Sequence, residues 1–200
     1  MAGLQPSEEV DERQLELARQ AGDTYREAAE YMISEVAETG DTTTEGDYLV
    51  GFAQEEAEGM YHPADGGLEW TDPGEENCHL EVIVADAEGG RFLPELAVRA
   101  TLEGEGETVG PVAVPFIWHP GLYHYGTNLE LPGEETYDLM VEVEAPSFPR
   151  HDEENGDRYA EDVSATFRAS TSRPDRTERH IRFFVRFRAD SVLFRADSVL

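Results

Sequence analysis

Two residues in the segment Cys78–Val84 have side chains that suit a first-row metal ion. In the sequence CHLEVIV, apolar residues occupy the positions that alternate with His79 and Glu81, and this pattern predicts a β-strand. Because successive side chains of a strand point to opposite faces, His79 and Glu81 share one face, and Cys78 shares the buried face with its apolar neighbours. Imidazole nitrogen and carboxylate oxygen are both common metal ligands. The alternative for this pair, taken alone, is a solvated polar face.

A second segment, Trp118–Asn128, carries two further histidines in a loop rich in Pro, Gly and aromatic residues. His119 and His124 lie in WHPGLYHYGTN, a stretch of 11 residues with no carboxylate and no Arg in an otherwise acidic chain. Aromatic side chains that keep water from an imidazole favour a role as a metal ligand. The alternative is a packed loop corner in which each imidazole is hydrogen-bonded.

A third candidate is His151, which lies in the turn-forming segment Phe148–Gly156. Its alternative is an ordinary exposed loop histidine. Other chemistry has little support, because the sequence has no nucleophile elbow, no P-loop and no dinucleotide fingerprint. The single cysteine, Cys78, excludes an internal disulfide and a multi-cysteine zinc site, and its apolar neighbours indicate an inert core residue. We therefore expect a protein that is not an enzyme.

The elements that must position these side chains are one helix and a series of short strands. Residues 1–12 are polar and predict a disordered tail, and residues 13–40 predict an amphipathic helix with apolar residues at steps of three and four. Residues 46–168 contain short apolar segments separated by turn residues, with no helices between them. This spacing predicts an antiparallel sandwich or barrel, since parallel strands need crossovers. The predicted strands are Tyr48–Ala53, Cys78–Ala85, Leu96–Leu102, Gly110–Ile117, Tyr125–Leu131, Tyr137–Ala145, Val163–Phe167 and Ile181–Phe187.

Residues 169–200 differ in composition from the rest of the chain. They hold seven Arg and four acidic residues, and the sequence FRADSVL at Phe187–Leu193 is repeated as Phe194–Leu200. Alternation around Ile181–Phe187 fits an edge strand. The abrupt change of composition and the duplication fit instead an Arg-rich tail that is not part of the native domain. We favour the tail, most clearly after Arg188.

The charge of the whole chain excludes several classes of partner. There are 44 acidic and 15 basic residues, all of the latter Arg, and the net charge is -29. Such a chain repels nucleic acid and anionic membrane surfaces, and no apolar run approaches the roughly 20 residues of a membrane span. At molar salt, screening weakens self-repulsion and a dense carboxylate surface stays hydrated. The composition predicts a halophilic protein, with a merely acidic mesophilic protein as the alternative.

Taken in order, the three histidine segments resemble one known family. The chain resembles the small periplasmic iron-transport proteins. The resemblance rests on three motifs in order: His-x-Glu on an early strand, His124-Tyr125-Gly126 with Asn128, and Arg150-His151-Asp152. The resemblance covers about residues 46–167. It implies an Ig-like sandwich that binds copper or iron, works beside an iron permease and forms a homodimer; the sequence itself is silent on the oligomeric state.

Residue by residue, the family's metal ligands match His79, Glu81, His124 and His151. The family also has a methionine ligand shortly before the His-Tyr-Gly motif, whereas this stretch reads PFIWH and has no Met. His119 is the nearest substitute and Met60 a more remote one. Nitrogen and oxygen ligands without a thioether favour Cu(II) or iron over Cu(I).

The expected fold is mainly β: an Ig-like antiparallel β-sandwich with an added N-terminal α-helix, which the family lacks. The expected function is metal binding, with capture or delivery of iron or copper. The alternative is an Ig-like structural or interaction module without bound metal in a halophile. The resemblance implies an exported or cell-surface protein, but no secretory signal is visible, which leaves a cytoplasmic location as the alternative.

Overall fold

The chain consists of one N-terminal helix followed by β-strands. The computed structural model describes residues 4–132 and 136–168, so the predicted strand Ile181–Phe187 and the duplicated FRADSVL lie outside the described residues. Helix α1 spans Glu12–Tyr31 and continues as a π-helical turn at Met32–Val36. The strands are β1 (Thr39–Glu45), β2 (Tyr48–Glu55), β3 (Met60–Ala64), β4 (Gly67–Thr71), β5 (Cys78–Asp86), β6 (Val98–Glu103), β7 (Thr108–Ala113), β8 (Phe116–Ile117), β9 (His124–Leu129), β10 (Asp138–Val143) and β11 (Val163–Phe167).

Two antiparallel sheets pack against each other around the main core. The strand orders are β1-β2-β5-β9-β8 in one sheet and β11-β10-β6-β7 in the other, while β3 and β4 form a separate hairpin. Apolar side chains of both sheets meet between them; for example, the rings of Phe52 and Phe167 have centroids 4.8 Å apart. This architecture confirms the prediction of a mainly β, Ig-like sandwich with an N-terminal helix.

Local sequence explains where the first elements begin and end. Asp11 caps α1: its carboxylate accepts a hydrogen bond from the Gln14 N–H (2.8 Å), and the Gln14 side chain accepts one from the Asp11 N–H (2.9 Å). Strand β1 starts at Thr39, within the range that the sequence analysis assigned to the helix (residues 13–40). Three consecutive threonines in β1 favour extended backbone, because β-branched side chains restrict rotamers in a helix.

The helix covers the outer face of the five-stranded sheet. Ala29 and Ile33 pack against Ala53, Ile83 and Leu122 in a second apolar cluster. All nine residues of β5 are buried, including those on the face away from the main core, where Ile83 packs against the helix. The polar face that carries the histidine and glutamate of β5 is therefore covered by protein and is not solvated. Among the described residues, no helix has both the length and the apolar character that crossing a membrane requires.

Candidate metal centre

Three of the predicted ligands lie together on the outer face of the five-stranded sheet. Strand β5 carries His79 and Glu81, and the neighbouring strand β9 begins with His124. One ligand atom from each residue lies within 4.8 Å of the other two. All three residues are buried, with exposed fractions of only 2 %, 4 % and 2 %. Two imidazoles and one carboxylate thus form a compact set of donors in a site shielded from water.

The imidazole of His79 is oriented by a neighbour on β9. Its Nδ1 lies 2.8 Å from Oδ1 of Asn128, which pairs with His79 in the sheet. The amide of Asn128 is itself fixed, because its Nδ2 donates to the Glu58 carbonyl (2.7 Å) and its Oδ1 accepts from the Glu58 N–H (3.3 Å). An amide oxygen only accepts, so Nδ1 of His79 carries the proton and Nε2 keeps the lone pair that a metal ion needs.

The imidazole of His124 is oriented in the same sense by the backbone. Its Nδ1 lies 3.1 Å from the Leu122 carbonyl oxygen, so this nitrogen carries the proton and Nε2 has the free lone pair. Nε2 lies 3.5 Å from Oε1 of Glu81. Among the described residues, neither Nε2 of His124 nor Oε2 of Glu81 has a hydrogen-bond partner, although both atoms are buried. Leaving such groups unpaired is costly, and a bound cation would satisfy both.

Burial also sets the charge of the three ligands. Loss of solvent raises the pKa of Glu81 to about 8, and the nearby carboxylates Glu55 and Glu58 raise it further in the same direction. Burial lowers the pKa of His124 to about 4 and also lowers the pKa of His79. The imidazole and the carboxyl are therefore both neutral near pH 7 rather than an ion pair. The histidines already have the protonation state that metal binding requires.

His119 lies beside this group without joining it. The ring centroids of His119 and His124 are 6.0 Å apart, and His119 is only partly buried. Its Nδ1 accepts a hydrogen bond from the Gly121 N–H at 3.3 Å. The three-residue group defined by mutual distances does not include it.

His151 is not brought into the group either. Its side chain is 89 % exposed, and its Nδ1 lies 3.3 Å from Oε2 of Glu9, in the segment before the helix. That segment, which the sequence predicts as a loose tail, also contacts the loop through Ser7, whose hydroxyl donates to Asp152 (2.9 Å). The structure places His151 at the surface, where its own chain supplies an acidic neighbour.

Two further residues, Ile117 and Met60, bear on the methionine ligand that the family resemblance implies. In the stretch before the His-Tyr-Gly motif, Ile117 of β8 pairs directly with His124 of β9, so an aliphatic side chain stands beside the imidazoles. Met60, the more remote substitute, begins the β3–β4 hairpin two residues after Glu58 and is partly buried. The described residues therefore place a hydrocarbon, and no thioether, directly opposite His124.

Asn128 belongs to the motif that carries the family resemblance, but the sequence alone assigns it no role. The strand register identifies Asn128 as a neighbour of the site, because antiparallel pairing of β5 with β9 puts Asn128 opposite His79. Reading that register needs the exact offset of two strands nearly fifty residues apart, which no local pattern supplies.

The comparisons with known proteins agree with this fold. Residues 27–170 match a family model described as Fe2+ transport protein. Among solved structures, FetP of uropathogenic Escherichia coli, as isolated after recombinant expression in the periplasm, has a TM-score of 0.53 at 22 % identity; the match covers 64 % of this chain and 90 % of that chain. No curated protein matches the sequence.

Two copper-bound structures are similar as well. A copper-bound variant of the same FetP has a TM-score of 0.54 at 20 % identity, covering 68 % of this chain and 96 % of that chain. A copper-bound variant of P19 from Campylobacter jejuni, with one methionine replaced by isoleucine, has a TM-score of 0.50 at 19 % identity, covering 64 % and 91 %. At these identities the likeness concerns the fold.

Proposed function

Because the chain belongs to the Fe2+ transport protein family, we propose that it is a non-enzymatic metal-binding protein that captures or delivers iron or copper. The ion would be held by His79, Glu81 and His124. The observation that carries this proposal is that Nε2 of His124 and Oε2 of Glu81 are buried without a hydrogen-bond partner among the described residues. In the same site, Nδ1 of His79 faces Asn128, so its Nε2 keeps a free lone pair. A cation bound by all three side chains is the simplest group that satisfies these atoms.

The donor set favours a borderline metal ion over a soft one. Two imidazole nitrogens and one carboxylate oxygen suit Cu(II) and iron, whereas Cu(I) prefers sulfur ligands. Ile117 stands opposite His124 and supplies no donor. The copper-bound FetP and P19 variants support copper as one of the candidates. We rank Cu(II) and Fe(II) together as the ions to test.

The remaining parts of the proposal concern partners and location. We propose an exported protein, by analogy with FetP, which was recombinantly expressed in the periplasm. From the family resemblance of the sequence, we also propose that it exchanges its ion with an iron permease. We also propose that His151 contributes a ligand only from a second copy of the chain, because its side chain is exposed and lies outside the group within its own chain. This would require a homodimer.

The test is calorimetric titration with Cu(II), and with Fe(II) under anaerobic conditions, in about 3 M KCl to screen surface carboxylates. Wild type should bind tightly, and the double variant His79→Ala/His124→Ala should lose at least about 100-fold in affinity. His62→Ala is the matched control, because His62 is an exposed histidine on the β3–β4 hairpin. Equal affinity of wild type and double variant would end the proposal.

The role of His151 is tested in the same titration. His151→Ala should weaken binding at protein concentrations where sedimentation shows a dimer, and should leave binding by the monomer unchanged. An unchanged affinity in the dimer would remove His151 from the ligand set.

An interaction module without metal is the second candidate function. It is favoured by the β3–β4 hairpin, where Tyr61, Leu68 and Trp70 are more than half exposed although they are apolar. Exposed apolar patches of this kind mark interaction surfaces. Failure of wild type to bind either metal would leave this candidate.

A further inference from the structure

The middle of strand β9 holds a glycine whose presence the backbone does not explain. Gly126 is not among the glycines with positive φ, so its conformation is open to any residue. Glycine weakens a strand interior because it loses much conformational freedom and has no side chain to pack. A glycine in such a place often marks a close approach by a ligand or by another backbone.

The space above Gly126 is bordered by the candidate ligands. A Cβ at this position would lie 3.1 Å from Nε2 of His79 and 3.1 Å from Cδ2 of His124, the ring carbon next to Nε2. It would also lie 2.7 Å from Cδ1 of Ile117. In the sheet, Gly126 pairs directly with Glu81. The volume that an alanine methyl group would fill at position 126 therefore borders both imidazoles. It lies on β9 at the position that pairs with Glu81.

We propose that Gly126 is required for metal binding because it keeps open the volume in which a small cation reaches the three ligands. The inference rests on the proposed function and adds a residue that does not itself donate to the ion. A metal ion lies about 2 Å from an imidazole nitrogen, so ion and methyl group compete for the same surroundings of Nε2. A side chain at position 126 must either displace the imidazoles or occupy the ion's place.

A purely structural role for the glycine has to be separated from this one. The tightest contact of a new Cβ would be with Ile117, and valine at position 117 removes the clashing Cδ1. The double variant Gly126→Ala/Ile117→Val therefore relieves that clash and keeps the contacts with His79 and His124. Its reference is the single variant Ile117→Val. Gly51→Ala is the control for adding a methyl to another sheet glycine, where the nearest atom is Cγ2 of Thr42 at 3.0 Å.

The measurements are Cu(II) affinity by calorimetry and thermal unfolding of the metal-free proteins. We expect Gly126→Ala/Ile117→Val to unfold within a few degrees of Ile117→Val and to bind Cu(II) at least tenfold more weakly. Gly51→Ala should bind like wild type. Equal Cu(II) affinity of the double variant and its reference would overturn the inference, as would loss of its folded state, since the glycine would then serve packing. Failure of wild type to bind either Cu(II) or Fe(II) would instead end the proposed function, so the two failures are distinct; if wild type binds only Fe(II), the same comparison of variants is made with Fe(II).

Discussion

In the proposed site, Glu81 is the residue at which a proton and a metal ion compete. Burial raises the pKa of its carboxyl to about 8, so at pH 7 a cation must displace a proton. The pKa of His124 is lowered to about 4, so this imidazole adds no competing proton above about pH 5. We expect close to one proton released per ion near pH 7, and an affinity that rises up to about tenfold per pH unit until pH 8 and then levels off.

Calorimetry in buffers of different ionisation enthalpy measures the proton released at each pH. Glu81→Gln should bind more weakly and lose the pH dependence, because its amide has no proton to give up. Metal binding without proton release in wild type would contradict this prediction. In the metal-free protein, the stability of the fold depends on pH in the opposite direction from metal affinity. The buried neutral carboxyl of Glu81 stabilises the fold below its ordinary pKa of 4.5, and this contribution is lost as pH rises toward 8.

At the residue scale, local pattern predicted part of the site. Alternation along one strand was enough to place His79 and Glu81 on a common face, because the side-chain period of a strand is two. Their burial was not predictable from the strand alone, since the helix packs against Ile83 on the same face and the Glu58 backbone holds Asn128 beside His79. His124 and His151 were equal candidates from sequence. Only the sheet register and the course of a surface loop separate them.

Helix α1 closes the outer face of the sheet beside the metal centre. The Tyr25 hydroxyl donates to the Tyr123 carbonyl at 2.6 Å, one residue before the proposed ligand His124. The Tyr25 ring also packs on Phe92, with centroids 5.7 Å apart. Tyr25→Phe removes only the hydrogen bond, so we expect a loss of about 1 kcal/mol in the free energy of unfolding and a metal affinity a few-fold weaker.

Denaturant unfolding and Cu(II) titration check this prediction, with Tyr31→Phe as the control. Tyr31 lies on the same helix but is 63 % exposed, so its variant should match wild type in both measurements. Equal effects of the two substitutions would show that the hydroxyl of Tyr25 has no special role at the centre.

A second contact between elements holds the opposite end of β5. Asp86, the last residue of β5, is buried and lies 3.0 Å from Nη2 of Arg158, and it also accepts a hydrogen bond from the Tyr159 hydroxyl. Removing one partner of a buried ion pair leaves an uncompensated charge. Arg158→Ala should therefore lower the free energy of unfolding by about 3 kcal/mol, by denaturant titration, without changing Cu(II) affinity.

The control for this prediction is Arg19→Ala, because Arg19 makes an exposed pair with Glu16 on α1. An exposed pair contributes little, so the variant should lose less than about 0.5 kcal/mol. If both variants lose the same amount, the buried pair does not anchor the 150–160 loop to the sheet.

The elements that sequence missed lack the usual periodic signal. All but one of the residues of β3 and β4 are exposed, so their hairpin shows no alternation of buried and exposed positions; the two-residue Asp65-Gly66 turn was the available cue. The predicted strand Gly110–Ile117 is divided between the sheets, with β7 pairing to β6 and β8 to β9. Its apolar run continues through the crossing point, so composition alone did not show the break.

At the scale of the whole molecule, acidity and metal binding affect each other. A chain with 44 acidic residues offers many weak cation sites on its surface, and these compete with any specific site at low salt. Molar potassium saturates and screens such carboxylates, whereas a buried set of two imidazoles and a carboxyl is shielded from it. Selective binding by His79, Glu81 and His124 should therefore be clearest at high salt.

Salt should also control the stability of the fold, because the net charge is -29 and the acidic residues repel one another. The Debye length falls from about 10 Å at 0.1 M salt to about 3 Å at 1 M, so screening removes repulsion between all but adjacent carboxylates. We expect thermal unfolding of the metal-free protein at a clearly higher temperature in about 3 M KCl than in about 0.1 M KCl. Sucrose is the control, since it favours compact states without screening charge. If sucrose stabilises as much as KCl, or if the unfolding temperature is the same at both salt concentrations, charge repulsion does not limit this fold and the halophilic interpretation is wrong.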